Sequence, residues 1–240
     1  LLLDRTAAGH GASLFVEAAA AIGSGVAMSH HLFSDRPGVR DSIRLETTYT
    51  RDDLPRVASL RLGDAMSRPA NALGRPVRFG GIQWGTNFQT QPGLITLPVA
   101  TLSGQAAVPS TIDLYVDNVL QARESVRPGP FSISSMPLVS GDGEVVVRVT
   151  DLAGQQTLIS QRFYASTAML APGLSDYSIE LGALRKEFGL RSNEYGDPFF
   201  SAGWRHGLNQ ELTVELGGSA QRGGVAGLLA GAAASFPGVG

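Results

Sequence analysis

Four histidines, His10, His30, His31 and His206, are the side chains of this 240-residue chain best suited to bind a metal or move a proton near neutral pH. None stands at metal-ligand spacing with another histidine or a carboxylate on one helical face, and the adjacent His30 and His31 point to opposite sides of any strand. Asp52 with Asp53, and Asp142 with Glu144, offer paired carboxylates for acid–base work, yet such pairs in Gly-rich loops are commonly just solvated. Gly23-Ser24-Gly25 is more simply a turn than part of a nucleophile elbow, and no phosphate loop or dinucleotide fingerprint is present. The chain has no cysteine, which excludes disulfides, thiolate nucleophiles, Cys-ligated zinc and iron–sulfur clusters. The residues therefore predict no catalytic group, no cofactor and no metal.

The elements that carry these residues read as β. In Ser42 to Arg51, Ile43, Leu45, Thr47 and Tyr49 fall on one face, and Arg44, Glu46, Thr48 and Thr50 on the other. Glu211 to Leu216 repeats the pattern, with Leu212, Val214 and Leu216 opposite Glu211, Thr213 and Glu215. Ser178 to Leu184 gives a weaker version, with Ile179, Leu181 and Ala183 opposite Ser178 and Glu180. Leu14 to Ala20, Val26 to Phe33, Arg56 to Leu62, Val77 to Trp84 and Phe199 to His206 are compatible strands, although Ala18 to Ala21 reads equally as helix. The segments recur about every 15 to 20 residues, near the span of a tilted membrane strand plus its turn. Soluble sandwiches share that rhythm; the barrel is favoured because one face is charged while the other is continuously apolar. On that reading the histidines are loop or lumen residues.

Residues 97–165 differ. Strands there are shorter and β-branched: Thr111 to Val116, Val119 to Val126, Glu144 to Thr150 and Gln156 to Phe163. Asp117-Asn118 is a two-residue hairpin signal, Gly141-Asp142-Gly143 a break, and Leu152-Ala153-Gly154 another reversal. Ile112, Leu114 and Val116 are expected to face Val145, Val147 and Val149 across a small sandwich core. In Arg127-Pro128-Gly129-Pro130-Phe131-Ser132-Ile133 two prolines fix φ and remove donors, so the chain must leave its sheet and turn rigidly before Phe131 and Ile133 return to a core. A stiff sandwich loop and a functional contact are both compatible with this turn.

Composition agrees: 30 Gly and 13 Pro with only 17% charged residues argue against a helical bundle and against disorder. A net charge of -2, with 19 basic and 21 acidic residues spread along the chain, leaves no footprint for nucleic acid. The start, Leu1-Leu2-Leu3-Asp4-Arg5, is not a signal peptide and reads as an internal piece of something longer. The weakly charged runs 18–34 and 223–240 are broken by glycine, and the second by Pro237, so neither is expected to be a membrane helix.

Several short motifs follow one another in a specific order. They are Leu62-Gly63-Asp64; Arg78-Phe79-Gly80-Gly81-Ile82-Gln83 after Val77; Leu102-Ser103-Gly104-Gln105-Ala106; and Ile112-Asp113-Leu114-Tyr115-Val116-Asp117-Asn118. Pro128-Gly129-Pro130-Phe131 with Ile133, Val145 to Val149, Asp151-Leu152-Ala153-Gly154, Tyr177-Ser178 and Gly203-Trp204-Arg205-His206-Gly207-Leu208 with Thr213 and Gly217-Gly218 continue it. In this order the chain resembles an outer-membrane usher of the chaperone-usher pilus pathway.

The resemblance implies an all-β fold: a segment of a large transmembrane β-barrel of about two dozen strands with an inserted immunoglobulin-like sandwich, the plug. It places barrel strands in 1–96, the plug in 97–165 and further barrel strands in 166–240. Roughly 170 residues outside the insert leave room for about eight to ten strands. It further implies a pore that assembles and secretes pilus subunits delivered by periplasmic chaperone-subunit complexes, through outer-membrane lipid, with the plug gating the channel. It leaves homodimerisation of the complete protein open. The recruiting periplasmic domains have no room in this piece. Arg127, Pro128, Gly129, Pro130, Phe131 and Ile133 then form the plug turn, Arg78 to Gln83 the strand before the plug, and Arg44, Glu46, Glu211 and Glu215 are expected to face the lumen. Ile43, Leu45, Leu212, Val214 and Leu216 are expected to face lipid. Arg127 and Ser134-Ser135 depart from the family's usual proline and acidic residue, which puts finer polar contacts of the plug in question. The alternative is a secreted β-sandwich adhesion or carbohydrate-binding module; an enzyme on a β scaffold lacks a catalytic set.

Overall fold

The computed structural model describes residues 2–6, 9–36, 39–68, 75–98, 102–133, 141–224 and 226–235. Side-chain surroundings are described for fewer, so the side chains of His10 and Asp142, and Ser134-Ser135 altogether, lie outside the described residues.

Sixteen strands make up the described structure: β1 (Leu2–Thr6), β2 (Gly9–Ile22), β3 (Gly25–Arg36), β4 (Val39–Asp53), β5 (Ala58–Met66), β6 (Arg78–Thr86), β7 (Leu102–Ala106), β8 (Ser110–Val116), β9 (Val119–Val126), β10 (Gly129–Ile133), β11 (Gly141–Asp151), β12 (Gln156–Ala165), β13 (Ser175–Arg185), β14 (Tyr195–Gly207), β15 (Leu212–Gln221) and β16 (Gly227–Ala234). The all-β expectation holds. Among the described residues no helix is long and apolar enough to cross a membrane. Ala18 to Ala21, which composition alone leaves open to helix, lies inside β2, where cross-strand pairing with β3 overrides the alanine preference. The turn between them is Gly23-Ser24, with Gly23 at φ +59.

Ten strands form one sheet in the order β1-β2-β3-β4-β5-β6-β13-β14-β15-β16, the upper end of the eight to ten that length allows. Strands β7 to β12 intervene in sequence between neighbours β6 and β13 and form two sheets of their own, β10-β7 and β12-β11-β8-β9. Contacts divide the chain into two compact units, one of residues 1–94, 175–205 and 215–231, the other of 95–174, 206–214 and 232–240.

In the first unit polarity follows the pairing register. Leu62, Ile82 and Leu181 are cross-strand partners on β5, β6 and β13, and are 38%, 49% and 57% exposed. Leu60, Trp84 and Ile179 form the next row on the same parity. On the opposite parity, Arg61, Gln83 and Glu180 form the row between them and Ser59, Gly85 and Ser178 the row beyond Leu60; Gln83, Glu180, Ser59 and Ser178 are buried. This sheet region exposes its apolar side chains and buries its polar ones.

The strict alternation expected across Ser42 to Arg51 fails at one place. His30 pairs with Glu46 but His31 pairs with Arg44, so Leu45 is the extra residue of a β-bulge. Ile43, expected to be outward, is only 8% exposed.

The second unit holds a small aliphatic core of Ile112, Leu114, Val116, Val145, Val147 and Val149. These do not face each other across two layers as expected. β8 and β11 are neighbours in one sheet, with pairs Ile112–Val149, Leu114–Val147 and Val116–Val145, so the six side chains form one continuous patch. Phe131 and Ile133 from the β10-β7 sheet pack against it. The Asp117-Asn118 hairpin is present, with φ +49 and +64, as a two-residue turn of this twist requires. Gly141-Asp142-Gly143, expected to break the chain, opens β11 instead.

Candidate functional site

The polar groups of the first unit gather on β4, β5, β6, β13 and β14, around a row of three glycines. Gly63, Gly81 and Gly182 are cross-strand partners on β5, β6 and β13. A Cβ at these positions would overlap the carbonyl oxygens of Thr47, Leu181 and Gly80 respectively, so adjacent backbones fill the space a side chain would need. Gly63 also sits at φ +108.

On one side of the row lies Asp64, 8% exposed. Its Oδ1 accepts from Arg185 Nη1 at 2.8 Å and Tyr195 Oη at 2.6 Å, and its Oδ2 from the Thr47 N–H at 2.9 Å and from Arg44 Nη1. The Tyr195 hydroxyl accepts in turn from Arg44 Nη2 at 2.7 Å and Arg185 Nη1 at 2.9 Å. Arg185, whose side chain is 1% exposed, also donates from Nη2 to the carbonyls of Arg44 at 2.9 Å and Ser192 at 2.6 Å. One carboxylate thus ties two guanidinium groups and a phenol, fastening four strands and the β13–β14 connection.

On the other side lies Glu180, with no exposed surface. Its Oε1 accepts from the Arg68 N–H at 2.6 Å, Gln83 Nε2 at 2.9 Å and Ser178 Oγ at 3.0 Å, whereas Oε2 is buried without a partner among the described residues. Asp176 accepts from Arg68 at 2.9 Å and Arg205 at 2.6 Å. A third group is built on pairing: Glu17, His30 and Glu46 are register partners, and His30 lies 3.0 Å from Glu17 and 2.9 Å from Glu46. His31, on the opposite face, bonds Ser29 at 3.0 Å instead. Arg78 reaches Glu46 at 3.4 Å and covers the Phe188 ring at 3.8 Å.

The expected site residues separate into these settings. Arg44 joins Asp64, and Glu46 joins His30 and Arg78. Glu211 is exposed just before β15, and Glu215 is half-buried within it. In β6, Phe79 is fully buried against Phe199, with ring centroids 5.6 Å apart; Gly80 lies under the Tyr195 ring; Ile82 is outward and Gln83 inward. In the second unit Arg127, Pro128 and Pro130 are exposed, Gly129 takes φ +132, and Phe131 pairs with Gly104 and lies over it. Ile133 pairs with Leu102. Arg123 donates to Asp113 at 2.5 Å and 3.0 Å, which holds the Asp113 carboxyl below its ordinary range. Among the described residues no three His, Cys, Asp or Glu side chains converge on a metal position.

Asp64, Arg185 and Tyr195 were not legible as a group. Asp64 is the end of a short motif, Arg185 the last residue of a weakly alternating strand, and Tyr195 the first residue of the next. Only a tyrosine and a charge at a shared strand end hinted at it.

Comparison with known proteins agrees with this architecture. The family model described as outer membrane usher protein matches residues 28–235. The outer membrane usher protein YehB of Escherichia coli K12 is 26% identical over 187 residues, which cover 78% of this chain and 21% of that protein. The crystal structure of the usher PapC translocation pore superposes with a TM-score of 0.50 at 18% identity, over 96% of this chain and 50% of that one. A chain of the cryo-EM structure of an E. coli P pilus tip assembly intermediate, PapC-PapD-PapK-PapG, gives 0.51 at 18% identity, over 88% of this chain and 26% of that one. The chain therefore spans about a fifth of its curated relative and half of the PapC pore chain. With the match of the family model running through most of its length, this chain belongs to the outer membrane usher family.

Proposed function

We propose that the chain is part of an outer-membrane pore that assembles and secretes pilus subunits brought by a periplasmic chaperone, without an enzymatic step of its own. The observation that carries this reading is the polarity of the ten-stranded sheet. Leu62, Ile82 and Leu181 stand outward in one row while Gln83 and Glu180 are buried on the other face. In water an exposed apolar band across three strands is an aggregation surface; against hydrocarbon it is the required outer wall, and the polar face is the lumen side. Glu46, Glu211 and Glu215 belong to that lumen side in this reading; Arg44, expected there too, is the register partner of His31 across the bulge and so lies on the face opposite Glu46. The passengers follow from likeness to PapC, whose tip intermediate contains PapD, PapK and PapG. The secreted-module alternative is not favoured by the family match.

Residues 97–165 act in this reading as the gate, between barrel strands of 1–96 and 166–240, and Pro128-Gly129-Pro130-Phe131 holds the gate's fold. A lumen wide enough for a folded subunit leaks small solutes unless a blocking body closes it. An insert tethered at both ends opens without being lost. Deleting 97–165 from the complete protein and joining the ends with a short Gly/Ser linker tests this in planar bilayers. Large, constantly open single channels are expected; conductance as low and as rarely open as in the intact protein contradicts the gate.

A further inference from the structure

A cleft of about 300 Å³ opens in the first unit beside the Glu180 network, lined by Ser59, Arg61, Arg68, Gln83, Asn87 and Gln89 among others. We propose that it is a binding site for a carboxylate, received by the Arg61 guanidinium. This assignment stands on the cleft's own chemistry and does not depend on the pore reading.

The hydrogen-bond balance of the lining sets the ligand class. Three of its acceptors are already engaged. The Gln83 Oε1 accepts from Arg61 at 3.3 Å, the Ser59 Oγ from Asn87 at 2.8 Å, and the Thr86 carbonyl from Arg68 at 2.5 Å. Gln83 is held further by Nε2 bonds to Glu180 at 2.9 Å and the Met66 carbonyl at 2.8 Å, so it cannot turn its amide into the cleft without breaking both. The nearby carboxylates are spoken for: Asp52 accepts from Ser59 at 2.5 Å, and Asp176 is held by Arg68 and Arg205. Donors remain. Among the described residues Arg61 makes only the one bond to Gln83 and no ion pair, whereas a guanidinium carries five N–H groups in a fixed fork. Arg68, by contrast, is ion-paired with Asp176, which it shares with Arg205.

A cleft in which the Arg61 guanidinium has, among the described residues, one hydrogen bond and no ion pair complements a group that only accepts. A carboxylate offers two oxygens to the Arg61 fork in a charge-assisted pair, which a neutral sugar hydroxyl does not match. The volume sits at the lower limit for small-ligand pockets, room enough for an acidic side chain or a small free acid but not for an oligosaccharide. The same chemistry has two sources, a free carboxylate and a Glu or Asp side chain carried on a polypeptide.

Nitrogen-15 NMR of arginine Nε–H groups in the intact protein in detergent micelles separates them. The probes are acetate, the capped peptide acetyl-Ala-Glu-Ala-amide, and inorganic phosphate. A saturable shift of the Arg61 resonance with acetate alone assigns a free acid, and a shift with the peptide assigns a polypeptide side chain; either supports the site. Arg61→Gln, read on the resonance of Arg68 in the same lining, should weaken binding by roughly tenfold or more. Gln89→Glu, at an exposed position of the lining, should weaken it too, by placing a rival carboxylate in the cleft with Arg61 intact. Strand content by circular dichroism checks that both variants fold. The proposal is overturned if neither carboxylate probe gives a saturable shift, if phosphate alone binds, or if the folded variants bind as tightly as the wild type.

Discussion

Replacing Asp64 by Ala removes the acceptor of four hydrogen bonds at once, those from Arg185, Tyr195, Arg44 and the Thr47 N–H. The largest loss falls on Arg185, whose side chain is 1% exposed and cannot recover the charge partner from water. Leaving a buried charge uncompensated costs about 3–5 kcal/mol. Tyr195→Phe keeps both charges and the ring and removes only the hydroxyl, which donates once and accepts twice, so about 1–2 kcal/mol is expected. Asp64→Ala with Arg185→Met removes both ends of the most buried pair and should cost less than Asp64→Ala alone, because only Arg44, at 18% exposed, is then left without its carboxylate. Urea unfolding of the protein in lipid vesicles, followed by the fluorescence of Trp84 and Trp204, reads all three. An Asp64→Ala variant within about 0.5 kcal/mol of wild type, or a double variant less stable than Asp64→Ala, refutes the network as the fastening of these strands.

Three other perturbations have definite outcomes. Phe131→Ala should destabilise the sandwich by about 2 kcal/mol, below the value for a fully buried ring because Phe131 is only half-buried against the core, and faster limited proteolysis within 97–165 reports it. Gly81→Ala should cost more than about 2 kcal/mol, since its methyl meets the Leu181 carbonyl, whereas Gly23→Ala, with open space but φ +59, should cost about 1 kcal/mol; urea midpoints compare them. Asp113, held low by Arg123, is ionised more readily in the folded state than in the unfolded one. Its contribution is therefore present above about pH 4 and is lost as pH falls through the lower folded value, and Asp113→Asn should flatten the thermal-melt decline in that acid window.

The strands were largely legible because polarity alternates with the period of the pleat, and the insert because short β-branched runs interrupt long amphipathic ones. The two places where alternation misled have physical causes. The Leu45 bulge shifts the register between Arg44 and Glu46, a two-on-one pairing that no local pattern announces, and it leaves Ile43 buried. Leu114 and Val147 were correctly seen as core but assigned to opposite layers, because periodicity reports which face a residue takes and not which strand lies beside it. The Asp64 and Glu180 networks join residues more than 100 positions apart, so they exist only once β6, already paired with β5, pairs with β13 across the insert.

The central claim is that the exposed apolar rows of β5, β6 and β13 face lipid. Because these 240 residues contain no cysteine, single cysteines at positions 62, 82, 181 and 61 can each carry a nitroxide label in the protein reconstituted into vesicles. Power-saturation EPR then compares collisions with oxygen, which concentrates in hydrocarbon, and with a water-soluble nickel chelate. Labels replacing Leu62, Ile82 and Leu181 are predicted to collide mainly with oxygen, and the label replacing Arg61 mainly with the chelate. Preference for the chelate at 82 and 181, equal to that at 61, would contradict the account.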